Sequence, residues 1–473
     1  MNAFASPKAE TDVLQPVDLA PTNGSAALRQ WRDFLPALPT SKDRRRWILA
    51  QFATAVLIIF TLIAMWYVFR PEQHNVIIAP EGTPIVAPSP APSVPMFRGN
   101  PDRTGVMPGP GLAEPPGIVW SFDVGDTIFA SPIVANGIVY VGESGSTTPP
   151  NGKFFAIDAR TGEERWHADT AGRVNSSAAV ADGVLFVGDE SGNLYAIAAA
   201  TGAEQWRFAL GGPAESSSPL VVNGVVYIVR VPLGVGASSP TLAGDLVIVG
   251  ANSVPGTDDT ILYAVDAATG QERWEYDGFA RDHGGFYALD AATGQPRWSI
   301  ATGSFSTNTA AVVDGVAYFS GGDDNTLYAV DASTGQERWR FSLGADASQN
   351  SPAVANGLVY LPADDGNVYA VDAVTGTERW RFQSGGRLLI FNSPAVAGDA
   401  VYFGTMSGQV FAVDAVTGRE RWHVPLPTSQ IHSSPAVVGG MVFIGAYDHR
   451  LYAIGDVGPG TPVAGTPAPS ATS

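Results

Sequence analysis

One phrase recurs along most of the chain, and Val368-Tyr-Ala-Val-Asp372-Ala-Val-Thr-Gly376-Thr-Glu-Arg-Trp380 is its cleanest copy. Near-copies begin at Phe154, Leu194, Leu262, Phe286, Leu327 and Val410, and an unfinished one runs from Leu451 to Ile454. A chain made of one repeated unit must stack that unit, because a single copy cannot bury its own apolar face. Within the phrase, apolar and small residues alternate, reach an Asp, turn through Thr-Gly and resume as Glu-Arg-Trp. A period of two on both sides of a turn predicts a β-hairpin. The turn glycines (Gly162, Gly202, Gly270, Gly294, Gly335, Gly376, Gly418) suit a position of positive φ. The acids (Asp158, Asp266, Asp290, Asp331, Asp372, Asp414) can accept hydrogen bonds from turn amides. Trp166, Trp206, Trp274, Trp298, Trp339, Trp380 and Trp422 are the largest apolar bodies of their units. They are expected to pack between neighbouring sheets, each indole N–H meeting a fixed acceptor.

Upstream of most copies lies a second phrase, such as Ser351-Pro-Ala-Val-Ala-Asn-Gly357-Leu-Val-Tyr360, with two short apolar runs around a Gly turn. Together the phrases give four strands in about forty residues, the size of a propeller blade. Trp339, Trp380 and Trp422 are 41 and 42 residues apart, in agreement. Complete blades are read at 131–168, 176–210, 238–276, 307–343, 350–383 and 392–426. Two places break the pattern: the first hairpin at 216–230 lacks a second, and the hairpin starting at Phe286 lacks a first. The last repeat, 433–454, ends without its Trp strand, and Gly117-Ile-Val-Trp120-Ser-Phe122 matches what is missing. Trp120 is therefore expected to complete the last blade and close the ring, which removes exposed sheet edges. Counting hairpins gives an all-β, eight-bladed propeller of four-stranded antiparallel blades, with seven blades as the alternative.

The flanks differ in kind. Residues 1–46 form a polar tail with seven Lys and Arg against five Asp and Glu, so the rest of a chain of net charge −18 carries −20. Such an acidic body does not suit nucleic acid, which requires clustered cations. Trp47 to Val68 is a 22-residue run without charge. That length spans a bilayer core of roughly 30 Å, and Lys42-Asp-Arg-Arg-Arg46 before it predicts a cytoplasmic N-terminus. One N-terminal transmembrane helix, 47–69, acting as an uncleaved signal anchor, would leave the propeller extracytoplasmic. Residues 70–95 are rich in Pro, Ala and Ser and read as a linker; 96–456 is the propeller; 457–473 reads as a disordered tail. The chain has no cysteine, which excludes disulfides, thiol catalysis and a lipidated cysteine.

The motif Ala-x-Asp-x-x-Thr-Gly-x-x-x-Trp resembles the tryptophan-docking motif of the PQQ-like β-propeller repeat family. It stands intact at 156–166, 264–274, 288–298, 329–339, 370–380 and 412–422, while Ala198 replaces Asp in the copy ending at Trp206. Met96-Phe-Arg-Gly-Asn-Pro-Asp-Arg-Thr-Gly105 is similar to a lead-in found before many such propellers. The resemblance implies three branches. Quinoprotein dehydrogenases hold pyrroloquinoline quinone and calcium over the ring centre, use an Asp base and carry a vicinal Cys pair; no position here matches their calcium ligands or base. BamB-type scaffolds bind partner proteins through loops but are lipoproteins anchored by a Cys. Membrane-tethered propellers without assigned chemistry fit best.

Little else in the sequence carries chemistry. Asp258-Asp259, Asp323-Asp324 and Asp364-Asp365 sit at turns between hairpins and read as turn formers. The six His show no metal-ligand spacing. The expected function is a monomeric, non-enzymatic scaffold that binds a protein or a cell-envelope polymer, without catalytic, cofactor or metal residues. The alternatives are a pyrroloquinoline-quinone-dependent dehydrogenase with an atypical site, holding the quinone with calcium, and a structural spacer.

Overall fold

The computed structural model describes residues 93–456 except 113–115, 145–150, 215–216, 232–237, 252–259, 280–283, 304–307, 322–323, 346, 348–349, 386–391 and 428–429. Every regular element among them is a strand, and the strands form eight four-stranded antiparallel sheets. Blade 1 comprises Ile133–Ala135, Ile138–Gly142, Gly152–Asp158 and Glu164–Thr170, counted from the axis outward, and the others repeat this plan. Each blade opens with a three-residue strand at the axis, and its outermost strand carries the tryptophan. Apolar residues of the second and third strands, such as Val359, Leu361, Val368 and Ala370, are buried on both faces between neighbouring sheets. That accounts for runs more continuously apolar than a one-sided sheet would show.

Closure follows the expected route. Gly117–Asp123 pairs with Arg450–Gly455, so the strand of Trp120 is the outer strand of blade 8, and both ends of the repeat region meet in one sheet.

The segment 206–301 corrects the sequence reading. The blade read at 238–276 does not exist as such. Val225–Arg230 pairs with Ile261–Asp266 to make blade 3, and Leu246–Ala251 pairs with Gly284–Asp290 to make blade 4. Two first hairpins thus follow one another, and two second hairpins then complete them in the same order. Neither blade lacks a hairpin. The physical reason is edge satisfaction: pairing 246–251 with its sequence neighbour 261–266 would strand two half-blades with unpaired backbone groups on either side.

Among the described residues no helix is long and apolar enough to cross a membrane. The tail 1–46, the stretch 47–69, the linker up to residue 92 and the tail 457–473 lie outside the described residues.

Candidate functional site

Three systems of contacts organise the ring. The first lies at the end bearing the Thr-Gly turns. Trp166 Nε1 donates to Ala199 O of the next blade at 3.1 Å, and the same bond joins Trp206 to Ala267, Trp274 to Ala291, Trp298 to Ala332, Trp339 to Ala373 and Trp380 to Ala415. Trp120 donates to Ala159 and so joins blade 8 to blade 1. Each ring also lies on the turn glycine of the next blade: a Cβ on Gly376 would come within 2.8 Å of Trp339, and Gly162, Gly202, Gly270, Gly294, Gly335 and Gly418 face Trp120, Trp166, Trp206, Trp274, Trp298 and Trp380 in the same way. All seven glycines have positive φ, so a side chain there would be strained as well as crowded. Blade 8 has no such turn because its third and outer strands come from opposite chain ends. Trp422 donates instead to Leu112 O of the lead-in, at 3.2 Å.

The acids hold the turns. Asp372 Oδ1 accepts from the amides of Val374 and Thr375, while Oδ2 pairs with Arg379 at 2.7 Å. Asp158, Asp266, Asp290, Asp331 and Asp414 do the same with Arg165, Arg273, Arg297, Arg338 and Arg421. The arginine bond holds the carboxyls of Asp158, Asp266, Asp290 and Asp414 at about 2. In blade 2, where Ala198 replaces the acid, Gln205 replaces the arginine, so both halves of the pair are absent together. Sequence reasoning missed one participant: Tyr140, Tyr227, Tyr318 and Tyr360 donate their hydroxyls to the same alanine carbonyls that accept from the tryptophans.

The second system circles the axis. The Ser-Pro, Ser-Ala and Thr-Ala steps that begin each blade form an unbroken ring in which the amide of one residue donates to the hydroxyl of the next. It runs Ser131, Ser177, Ser218, Ser239, Thr309, Ser351, Ser393, Ser434 and back to Ser131, with distances of 2.9–3.1 Å. Its order, Ser218 before Ser239, follows the order of blades 3 and 4.

The third is the lead-in, which fills the axis. Its backbone bonds in turn to the innermost strands of blades 1, 2, 4, 5, 6 and 7, through Val134, Val180, Leu242, Val312, Val354 and Val396. The inner edges of these sheets are thereby covered. Arg103 reaches blade 3 by donating to Ser218 O and Pro219 O, and also donates to Pro240 O and Phe97 O. Arg98 donates to the carbonyls of Arg103, Ser351 and Pro352. Both guanidinium groups are fully buried, and burial pushes each down to about 9. Both residues hold positive φ, 60° and 53°, a region uncommon for a side chain of that size. The sequence offered one signal for these residues, the lead-in phrase, but nothing that placed it on the axis.

The end of the ring opposite the Thr-Gly turns carries the connections between blades. There Phe129, His432 and the exposed Tyr447 form an aromatic cluster, with centroids 4.9 and 5.4 Å from the His432 ring. His432 Nε2 faces Gln430 Oε1 at 2.9 Å, and burial lowers the imidazole to about 4, so it is neutral near pH 7. Nearby in blades 1 and 2, Ser144 donates to Asn175, which donates to Glu190. Burial raises the carboxyl of Glu190, and that of Glu143 as well. The turn acids of this end serve the third strand: Asp324 and Asp365 accept from Tyr328 and Tyr369, and also from turn amides.

A quinone and calcium over the ring centre would have to be held by these axial groups. The carbonyls of Ser218, Pro219, Pro240, Ser351 and Pro352 already accept from arginine, and the central charges are positive. Calcium takes about six to eight oxygen ligands, usually with carboxylates among them. Among the described residues no group of three His, Cys, Asp or Glu can hold a metal ion. The described axial residues do not fit that pair.

Fold and rings together define a tryptophan-docked, eight-bladed propeller whose axis is plugged by its own lead-in. A family model described as outer membrane protein assembly factor BamB matches residues 150–282 and 282–472, and the chain belongs to this family of PQQ-like repeat propellers. No curated protein matches the sequence. Among solved structures, a quinohemoprotein alcohol dehydrogenase from Comamonas testosteroni superposes with a TM-score of 0.61 at 18% identity, over 80% of this chain and 82% of that one. BamB from Moraxella catarrhalis gives 0.51 at 17%, over 72% and 99%, and the computationally designed Ika8 protein gives 0.52 at 18%, over 72% and 99%. At these identities the likeness is one of fold.

Proposed function

We propose that this protein is a membrane-anchored, extracytoplasmic scaffold that binds another protein or an envelope polymer at the end of the ring opposite the Thr-Gly turns. The axis carries this reading: the lead-in bonds to six inner strands and buries two arginines there, so the described axial groups offer positive charge and carbonyls already in use. What remains for function is a rigid rim bearing varied connections, a common setting for recognition. The turn end offers near-identical, self-neutralised Asp–Arg turns instead. The family description names an assembly factor, which favours a protein partner. A second reading is an enzyme with an atypical site, for which the quinohemoprotein alcohol dehydrogenase offers a likeness of fold alone.

The anchor belongs to the same proposal, with 47–69 in the membrane, 1–46 in the cytoplasm and the chain otherwise monomeric. A photoreactive residue at Tyr447, on the connection end, tests the scaffold in intact cells against one at Val374, which is 84% exposed on a Thr-Gly turn. A discrete crosslinked species from position 447 and none from 374 is expected. Equal crosslinking from both, or none from either, contradicts it.

A further inference from the structure

We infer that Arg98 and Arg103 hold a small monovalent anion on the propeller axis. Both side chains are buried, and Arg98 Nε donates to the carbonyl of Arg103 itself at 2.9 Å, which brings the two residues together. Among the described residues no carboxylate bonds to either, and Asp102, beside Arg103 in the chain, is exposed. Two positive charges taken from water without a counter-charge are costly, and carbonyl dipoles offset that cost only in part.

The donor count points the same way. An arginine carries five N–H groups. Arg98 makes three bonds and Arg103 four, so seven of ten donors are engaged and three have no acceptor among the described residues. Around them stands the hydroxyl ring. Each of its eight oxygens accepts one amide, and none donates its own proton to a described group. A site with cations and surplus donors calls for an acceptor that carries negative charge. It is also tight: a Cβ on Gly105 would come within 2.8 Å of Ala353 Cβ and 3.0 Å of Arg98 Nη2. Packing this close leaves no room for a group as large as a phosphate, so a halide is the probe.

The test uses the full-length chain in detergent, with chloride exchanged for gluconate at constant ionic strength. Its thermal midpoint should climb by roughly 3–5 °C over a hundredfold rise in chloride above the dissociation constant. Arg103→Met and Arg98→Met should lose that response. Because either variant can fail to fold, crystals of the unaltered protein soaked in bromide give a second readout: an anomalous peak on the axis within about 3.5 Å of both guanidinium groups. A chloride response undiminished in both variants, or bromide-soaked crystals without an axial peak, overturns the assignment. The quinone reading of the ring is untouched by either result, since the probe is a halide.

Discussion

At the scale of single residues, stability rests on a few repeated contacts, and their environments set how much each is worth. Trp380 is 9% exposed and Trp120 only 2%, whereas Trp206 is half-buried. Trp380→Ala and Trp120→Ala should each cost about 3–5 kcal/mol, and Trp206→Ala less, measured by urea unfolding. A loss below about 1 kcal/mol at Trp120 would contradict its place between blades 8 and 1. The acid limb of stability has two parts. His432 is lowered from 6.5 to about 4, so the unfolded chain takes up this proton first and stability falls as pH drops from 6.5 to 4. The turn acids are lowered from 3.8 to about 2, so their contribution is present above 3.8 and lost as pH falls towards 2. Thermal midpoints against pH should show both slopes, with His432→Phe flattening the upper one and Asp414→Asn easing the lower. The tryptophan, glycine and aspartate roles were legible because each recurs at fixed offsets, and repetition separates a structural role from chance. Arg98 and Arg103 occur once, in a phrase with no period, and nothing local says that two cations will be buried against carbonyls from distant blades.

At the scale of elements, the interleaved hairpins of blades 3 and 4 are the least expected feature. Every hairpin here has nearly the same sequence, so composition cannot tell Leu246–Ala251 whether to pair with Ile261–Asp266 or with Gly284–Asp290. Sequence proximity favours the first and satisfied edges favour the second. The absence of native cysteine makes the choice testable. Arg230 lies opposite Ile261 in the register of blade 3. Arg230→Cys with Ile261→Cys should form a disulfide under mild oxidation, seen as a mobility shift, whereas Ala251→Cys with Ile261→Cys should remain reduced. The reverse outcome would restore the blade at 238–276. The closing strand at Gly117–Asp123 was readable because a half-hairpin at one end and its complement at the other leave a single solution.

At the scale of the whole molecule, eight sheets, a hydroxyl ring and a lead-in make one closed system whose axis is spoken for. The propeller body carries the chain's negative charge, and the membrane attachment proposed for residues 47–69 would hold it away from the cytoplasm. A chain without cysteine allows this to be mapped with single labels: Ser470→Cys should react with an impermeant maleimide on intact cells and Ser6→Cys only after lysis. Fold class could be read from the repeat alone, but function could not, because the same blade plan serves enzymes and scaffolds. The distinction lies in what fills the centre. The most direct test is a titration of the full-length protein with pyrroloquinoline quinone and calcium, following absorbance and then oxidation of simple alcohols and sugars. A plugged axis predicts no stoichiometric binding and no turnover. Stoichiometric binding with turnover would contradict the scaffold reading and make the ring centre an active site.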